Sequence, residues 1–163
     1  MSTTKPATPK EMIGIGAVFA AIGLYFMLVG AAVLPIPGGP RNLHAPLWIA
    51  FCAGLVFFLG GVAVLLQGFG KANADGELPK SAPAWMRAVQ QLIGVVIFAA
   101  FALIGTWIAL AGDPRQFSGS FSGLGIGAAI ARTAFGIGAL ICWAATIGLA
   151  VSGARKLLAI RKS

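Results

Sequence analysis

Residues 12–34, MIGIGAVFAAIGLYFMLVGAAVL, form an apolar run of 23 residues without a charged side chain. At about 1.5 Å rise per residue, a helix of this length crosses a hydrocarbon layer roughly 30 Å thick with some tilt to spare. The run predicts a first transmembrane helix, preceded by a polar cytoplasmic tail at residues 1–11. A cleaved signal peptide is the alternative, but its apolar part is normally only about 7 to 15 residues long.

Three further apolar runs follow, at about residues 47–69, 90–111 and 133–151. Each has the length and composition of a membrane-crossing helix. We therefore predict an all-α integral membrane protein, in which four transmembrane helices form an antiparallel bundle over residues 12–152. A basic tail at residues 153–163 ends the chain.

The overall composition agrees with a membrane protein. Hydrophobic residues make up 58% of the chain and charged residues only 10%, whereas about a quarter of the residues in soluble domains are charged. The net charge of +8 would suggest nucleic acid in a soluble protein, but here most basic residues flank apolar runs. We expect them to contact anionic membrane lipids and expect no nucleic-acid partner.

The basic residues also predict an orientation. The N-terminal tail, the connector at residues 70–88 and the C-terminal tail hold two, three and four Lys or Arg residues, against Arg41, Arg115 and Arg132 on the opposite side. Lys and Arg in short loops favour the cytoplasmic side. The distribution predicts that both termini lie in the cytoplasm, and we expect the protein in a bacterial inner membrane.

The segment before the fourth run is harder to assign. A single helix from Gly123 to Val151 would be about 43 Å long, which exceeds the hydrocarbon thickness, and would place Arg132 inside it. We expect the fourth span to begin at Thr133, with Arg132 at its outer edge and residues 124–131 along the interface. Inclusion of residues 124–131 in the span, with a buried functional Arg132, is the alternative.

Regularly spaced glycines predict where the helices pack. Helices in a bilayer associate through close backbone approach at small residues. Spacings of seven residues keep the glycines of the first and second runs near one stripe on each helix, and small residues recur in the fourth run. The predicted packing glycines are Gly16, Gly23, Gly30, Gly54, Gly61, Gly68, Gly138 and Gly148.

Few residues in the chain favour catalysis or metal binding. The predicted spans contain no Asp, Glu, Lys, Arg or His, which argues against an independent ion-coupled pump. One histidine, His44, and two separated cysteines, Cys52 and Cys142, do not make a zinc site. We therefore predict no catalytic residue, no cofactor and no metal ligand.

The loops on the predicted outer face contain the best candidate for a binding site. Arg115 and Arg132 bracket one loop rich in serine and glycine, and Arg41 and Asp113 lie on the same side. Guanidinium groups bind carboxylates and phosphates through paired hydrogen bonds. An anionic ligand or a partner carboxylate is one interpretation. The other is that Asp113 caps a turn while the arginines meet lipid phosphates.

Two stretches resemble known families. The first contains Trp107-Ile108-Ala109, Gly112, Arg115 and Phe117-Ser118-Gly119-Ser120, followed by Arg132 and Phe135-Gly136-Ile137-Gly138-Ala139. It resembles a pattern in small uncharacterised inner-membrane proteins of bacteria, which implies membrane placement and no particular activity. Leu34-Pro35 and Gly39-Pro40, before the second run, resemble the four-span small subunit of tripartite tricarboxylate transporters.

These observations favour a non-enzymatic accessory or structural subunit that acts through helix association. Its partner would be a larger membrane protein or further copies of the same chain. The alternatives are the small membrane subunit of a solute transporter and a membrane-embedded enzyme that acts on lipid.

Overall fold

The chain was analysed as a computed structural model, which describes residues 8–36, 39, 46–70, 78–79, 82–111 and 127–161. Its four long helices are α1 (Pro9–Gly30), α2 (Leu47–Gly70), α3 (Ala84–Ala111) and α4 (Gly127–Arg161). Each contains a segment long and apolar enough to cross a membrane, and no strand occurs among the described residues. The prediction of an all-helical chain with four such helices is confirmed.

Helix α1 begins at a capping box. The backbone N–H of Thr8 donates to Glu11 Oε2 at 2.7 Å, and the N–H of Glu11 donates to Thr8 Oγ1 at 3.4 Å. Pro9 occupies the first turn, where its missing N–H leaves no helical bond unmade. These local interactions explain why the helix starts before the uncharged run at Met12.

The C-terminus of α1 lies before the predicted end at Leu34. Ala32 adopts the left-handed conformation with φ of 58°, and its N–H donates to Val29 O at 3.0 Å. The N–H of Val33 donates to Leu28 O at 2.9 Å. This bond pattern is a Schellman motif, which ends the helix by turning the chain back. The helical part of the first span therefore stops at Gly30.

Helix α3 begins before the predicted position of residue 90. Pro83 O accepts hydrogen bonds from the N–H groups of Met86 and Arg87 at 3.0 and 3.4 Å, so Ala84 is already helical. Proline is well placed at a helix start because it needs no preceding hydrogen bond. The residues that follow it up to Gln91 include good helix formers and no breaker.

Helix α4 extends beyond the predicted 133–151 span at both ends. Residues 127–131 are helical and continuous with Arg132, so their placement along the interface stays a prediction; residues 124–126 lie outside the described part. At the other end the helix continues to Arg161, so most of the predicted tail is helical. Ala, Leu, Arg and Lys dominate these extensions, and all favour helix.

The chain divides into two compact units, Met1–Ile97 and Phe98–Ser163. The first contains α1, α2 and the N-terminal half of α3. The second contains the C-terminal half of α3 and α4. The sites that follow lie within one unit or the other.

Candidate functional site

In the first unit, α1 and α2 approach each other closely at glycine. A Cβ placed on Gly16 would lie 2.8 Å from Gly61 O, and one placed on Gly61 would lie 2.6 Å from Gly16 O. Both glycines are buried. Neither position has room for a side chain unless the backbones move apart.

A second reciprocal pair lies two helical turns away. A Cβ on Gly23 would lie 2.7 Å from Gly54 O, and one on Gly54 would lie 2.8 Å from Gly23 O and 2.5 Å from Met27 N. Residue numbers rise on α1 as they fall on α2, so the two helices are antiparallel.

The contact continues at both ends of the helix pair. A Cβ on Gly30 would lie 2.6 Å from Phe51 Cα, and one on Gly68 would lie 2.9 Å from Ile13 Cγ1. The six heptad-spaced glycines of α1 and α2 therefore all face the partner helix. Such close approach supplies dispersion contacts between backbones and brings Cα–H groups toward carbonyl oxygens.

Aromatic side chains accompany this contact. Phe19 on α1 stacks with Phe57 on α2, with ring centroids 6.1 Å apart and ring planes inclined by 16°. Both rings remain partly exposed, at 44% and 45%. The stacked pair adds a side-chain contact to a helix pair otherwise joined through backbone.

Two of the predicted packing glycines, Gly138 and Gly148, lie on α4. A Cβ on Gly138 or Gly148 would meet nothing within 4 Å, so neither makes a close helix approach within the described part of the chain. The approach between α3 and α4 occurs instead at Gly105, where a Cβ would lie 3.2 Å from Ala139 Cβ and 3.3 Å from Phe135 O. Gly105 was missed because no heptad repeat of glycine marks it.

A hydrogen bond also joins these two helices. Trp143 Nε1 on α4 donates to Thr106 Oγ1 on α3 at 3.3 Å, and Thr106 Oγ1 donates to Ala102 O at 2.6 Å. Thr146 Oγ1, by contrast, donates to Cys142 O within α4 at 2.8 Å. Thr106 is therefore the residue through which the indole is linked to the backbone of α3.

One face of α4 is lined by exposed apolar side chains. Its large members recur at spacings of three, four and seven residues, which places them on a single helix face. They are Ile130, Ile137, Leu140, Ile141, Ile147 and Val151, of which Leu140, Ile141 and Ile147 are more than 60% exposed. We call these six residues the α4 face. An open groove lies against its N-terminal part, beside Ala129, Thr133 and Ala134.

The predicted anion site is represented by one residue only. Arg132 lies in the second turn of α4 and is half-buried. Arg41, Asp113 and Arg115 fall outside the described residues, as does His44. The proposed grouping of these side chains therefore stays a prediction.

Cys52 and Cys142 are both free thiols and half-buried. Within the described ranges, no three His, Cys, Asp or Glu residues group closely enough to hold a metal ion.

Comparison with known proteins returns no relative. No family model, no curated protein and no solved structure matches the chain. The helix contacts and the exposed surfaces of the chain itself are thus the basis for any assignment of function.

Proposed function

We propose that the protein is a non-enzymatic accessory or structural subunit of a bacterial inner membrane, which crosses the bilayer four times and acts by helix association. Both termini lie in the cytoplasm. The proposal rests on the contrast between two helix surfaces. The glycine faces of α1 and α2 are buried against each other, whereas the α4 face is exposed.

The α1–α2 contact supports placement in lipid. Lipid chains are as apolar as leucine, so burial of large side chains gives helices little reason to associate, and small residues dominate their contacts. In the first unit the buried positions of α1 and α2 include Gly16, Gly23, Gly54, Gly61 and Gly68, while large apolar side chains such as Ile22 and Phe57 remain exposed. That distribution suits a helix pair surrounded by hydrocarbon.

The α4 face supports association as the function. Ala139 is 5% exposed, whereas Leu140 beside it is 70% exposed. Large residues at Ile137, Leu140 and Ile147 alternate along the helix with small ones at Ala144 and Gly148. Alternation of large and small side chains at this spacing is the pattern that lets a second helix interdigitate.

Affinity purification of the full chain in mild detergent tests the proposal. We expect a stoichiometric partner, either a second copy or a larger membrane protein. Replacement of Ile137, Leu140 and Ile147 by Ala is expected to reduce recovery of that partner about tenfold, equivalent to about 1.4 kcal/mol in all, because it removes the large side chains that would interdigitate with the partner helix.

The matched control replaces Leu92, Leu103 and Leu110 of α3 by Ala; these leucines are 61%, 46% and 78% exposed. It removes similar apolar volume from another exposed helix and should retain the partner. Recovery of the wild-type chain as a lone monomer, or equal loss of partner in both triple variants, would contradict the proposal.

A further inference from the structure

In α4, two arginines flank a long uncharged interval. Between Arg132 and Arg155 the helix contains no charged residue over residues 133–154. This interval is about 33 Å long at the rise of an α-helix, close to the roughly 30 Å thickness of bilayer hydrocarbon. Arg132 and Arg155 are therefore separated along the axis of α4 by about the thickness of one hydrocarbon layer.

The helix does not end at the second level. It continues from Arg155 to Arg161, a further distance of about 9 Å. The polar headgroup layer on each side of a bilayer is about 5 to 8 Å thick. A helix that leaves the hydrocarbon at Arg155 thus crosses the headgroup layer while still helical.

The helical extension is strongly basic. Arg155, Lys156 and Arg161 lie within its last two turns, with no acidic residue after Asp113 in the sequence. Arg155 is exposed. Because the backbone there is already helical, binding of phosphate groups would not carry the conformational-entropy cost of ordering a flexible tail.

We infer that the basic end of α4, Arg155–Arg161, is a binding site for the headgroups of anionic phospholipids in the cytoplasmic leaflet. Juxtamembrane Lys and Arg residues are attracted to that leaflet by its negative surface potential. The inference rests on the membrane placement proposed above and adds the lipid class and the residues that select it.

Native mass spectrometry of the full chain tests the inference. The protein is released from mixed micelles that contain equal amounts of phosphatidylglycerol and phosphatidylcholine with the same acyl chains. We expect the wild-type chain to retain phosphatidylglycerol preferentially. The combined change Arg155→Gln, Lys156→Gln and Arg161→Gln should reduce that preference about tenfold or more, because each basic residue near an anionic surface contributes to binding.

The control Lys5→Gln, Lys10→Gln and Arg87→Gln removes the same number of charges from the same predicted side of the membrane. It should reduce the preference less than the α4 variant does, because its three charges come from two separate segments and not from one helix end. Equal lipid retention by the α4 variant and the wild type, equal loss in the control, or no preference in the wild type would overturn the inference.

Two further arms separate the causes of failure. Inorganic phosphate at millimolar concentration should leave lipid retention unchanged; displacement of the lipid by free phosphate would contradict a headgroup site. Recovery of the protein from membranes only by detergent tests membrane placement independently. Extraction without detergent would show that the proposed function had failed, whereas detergent-dependent extraction without lipid preference would overturn the lipid site alone.

Discussion

Gly16 of α1 and Gly61 of α2 each occupy the space that a side chain on the other would need, with each added Cβ lying within 2.8 Å of the opposite carbonyl oxygen. The relationship is reciprocal, so one methyl group on either residue forces the two backbones apart. Gly23 and Gly54 repeat it. The helix pair therefore depends on backbone contact at two levels rather than on a single close point.

Gly61→Ala should destabilise the α1–α2 pair, and its neighbour Gly60 provides the matched control. A Cβ on Gly60 meets nothing within 4 Å, so Gly60→Ala should be neutral or stabilising by up to about 1 kcal/mol, through helix propensity. Gly61→Ala receives the same propensity gain but overpacks the contact at a cost of about 1 to 3 kcal/mol. Thermal melting in detergent followed by circular dichroism would compare them; equal melting temperatures would contradict the contact.

The heptad spacing of glycine was a strong sequence signal because three repeats on each of two neighbouring runs specify both helix faces. The same kind of argument gave no guidance at Gly105, where one glycine meets Ala139 and a backbone carbonyl. For Gly138 and Gly148 of α4 the argument is weaker, because small residues spaced by four recur by composition alone in an Ala- and Gly-rich helix. Small size permits close approach without requiring it.

Ala32→Gly should stabilise the end of α1. Ala32 has φ of 58°, a conformation that costs an L-residue about 1 to 2 kcal/mol and glycine little. The expected gain is about 1 kcal/mol, reduced by the extra freedom of glycine in the unfolded chain.

Ala31→Gly is the control, since Ala31 has φ of −82° and gains nothing from glycine. Thermal melting of both variants measures the difference. A lower melting temperature for Ala32→Gly than for Ala31→Gly would contradict the assigned helix cap.

Thr106→Val and Trp143→Phe should show energetic coupling in a double-mutant cycle. Each removes one partner of the hydrogen bond between α3 and α4, and interhelical hydrogen bonds in membrane proteins contribute about 0.6 kcal/mol on average. Thr146→Val is the control partner for Trp143→Phe, since the Thr146 hydroxyl bonds within α4. Unfolding free energies in detergent give both cycles. Equal coupling in the two cycles would remove the special role of Thr106.

Helix ends were less predictable than helix existence. Hydropathy located all four long helices. The end of α1, however, is a Schellman motif that depends on the left-handed conformation of Ala32, and alanine is not a residue type that predicts this conformation. At α4 the charge on Arg132 suggested a boundary, whereas the local sequence Gly127–Arg132 favours continued helix. Helix formation depends on the backbone propensity of the residues, whereas the limits of a membrane span depend on the solvation of their side chains. A helix can therefore extend past the layer that it crosses.

Fusion of topology reporters to the full chain after Arg41, Gly76 and Ser120 tests the central claim most directly. One reporter should be active only outside the cytoplasm and the other only inside it. Four spans with cytoplasmic termini predict a cytoplasmic signal after Gly76 and an exported signal after both Arg41 and Ser120. Export of the Gly76 fusion, or retention of the Arg41 or Ser120 fusion in the cytoplasm, would contradict the proposed membrane arrangement.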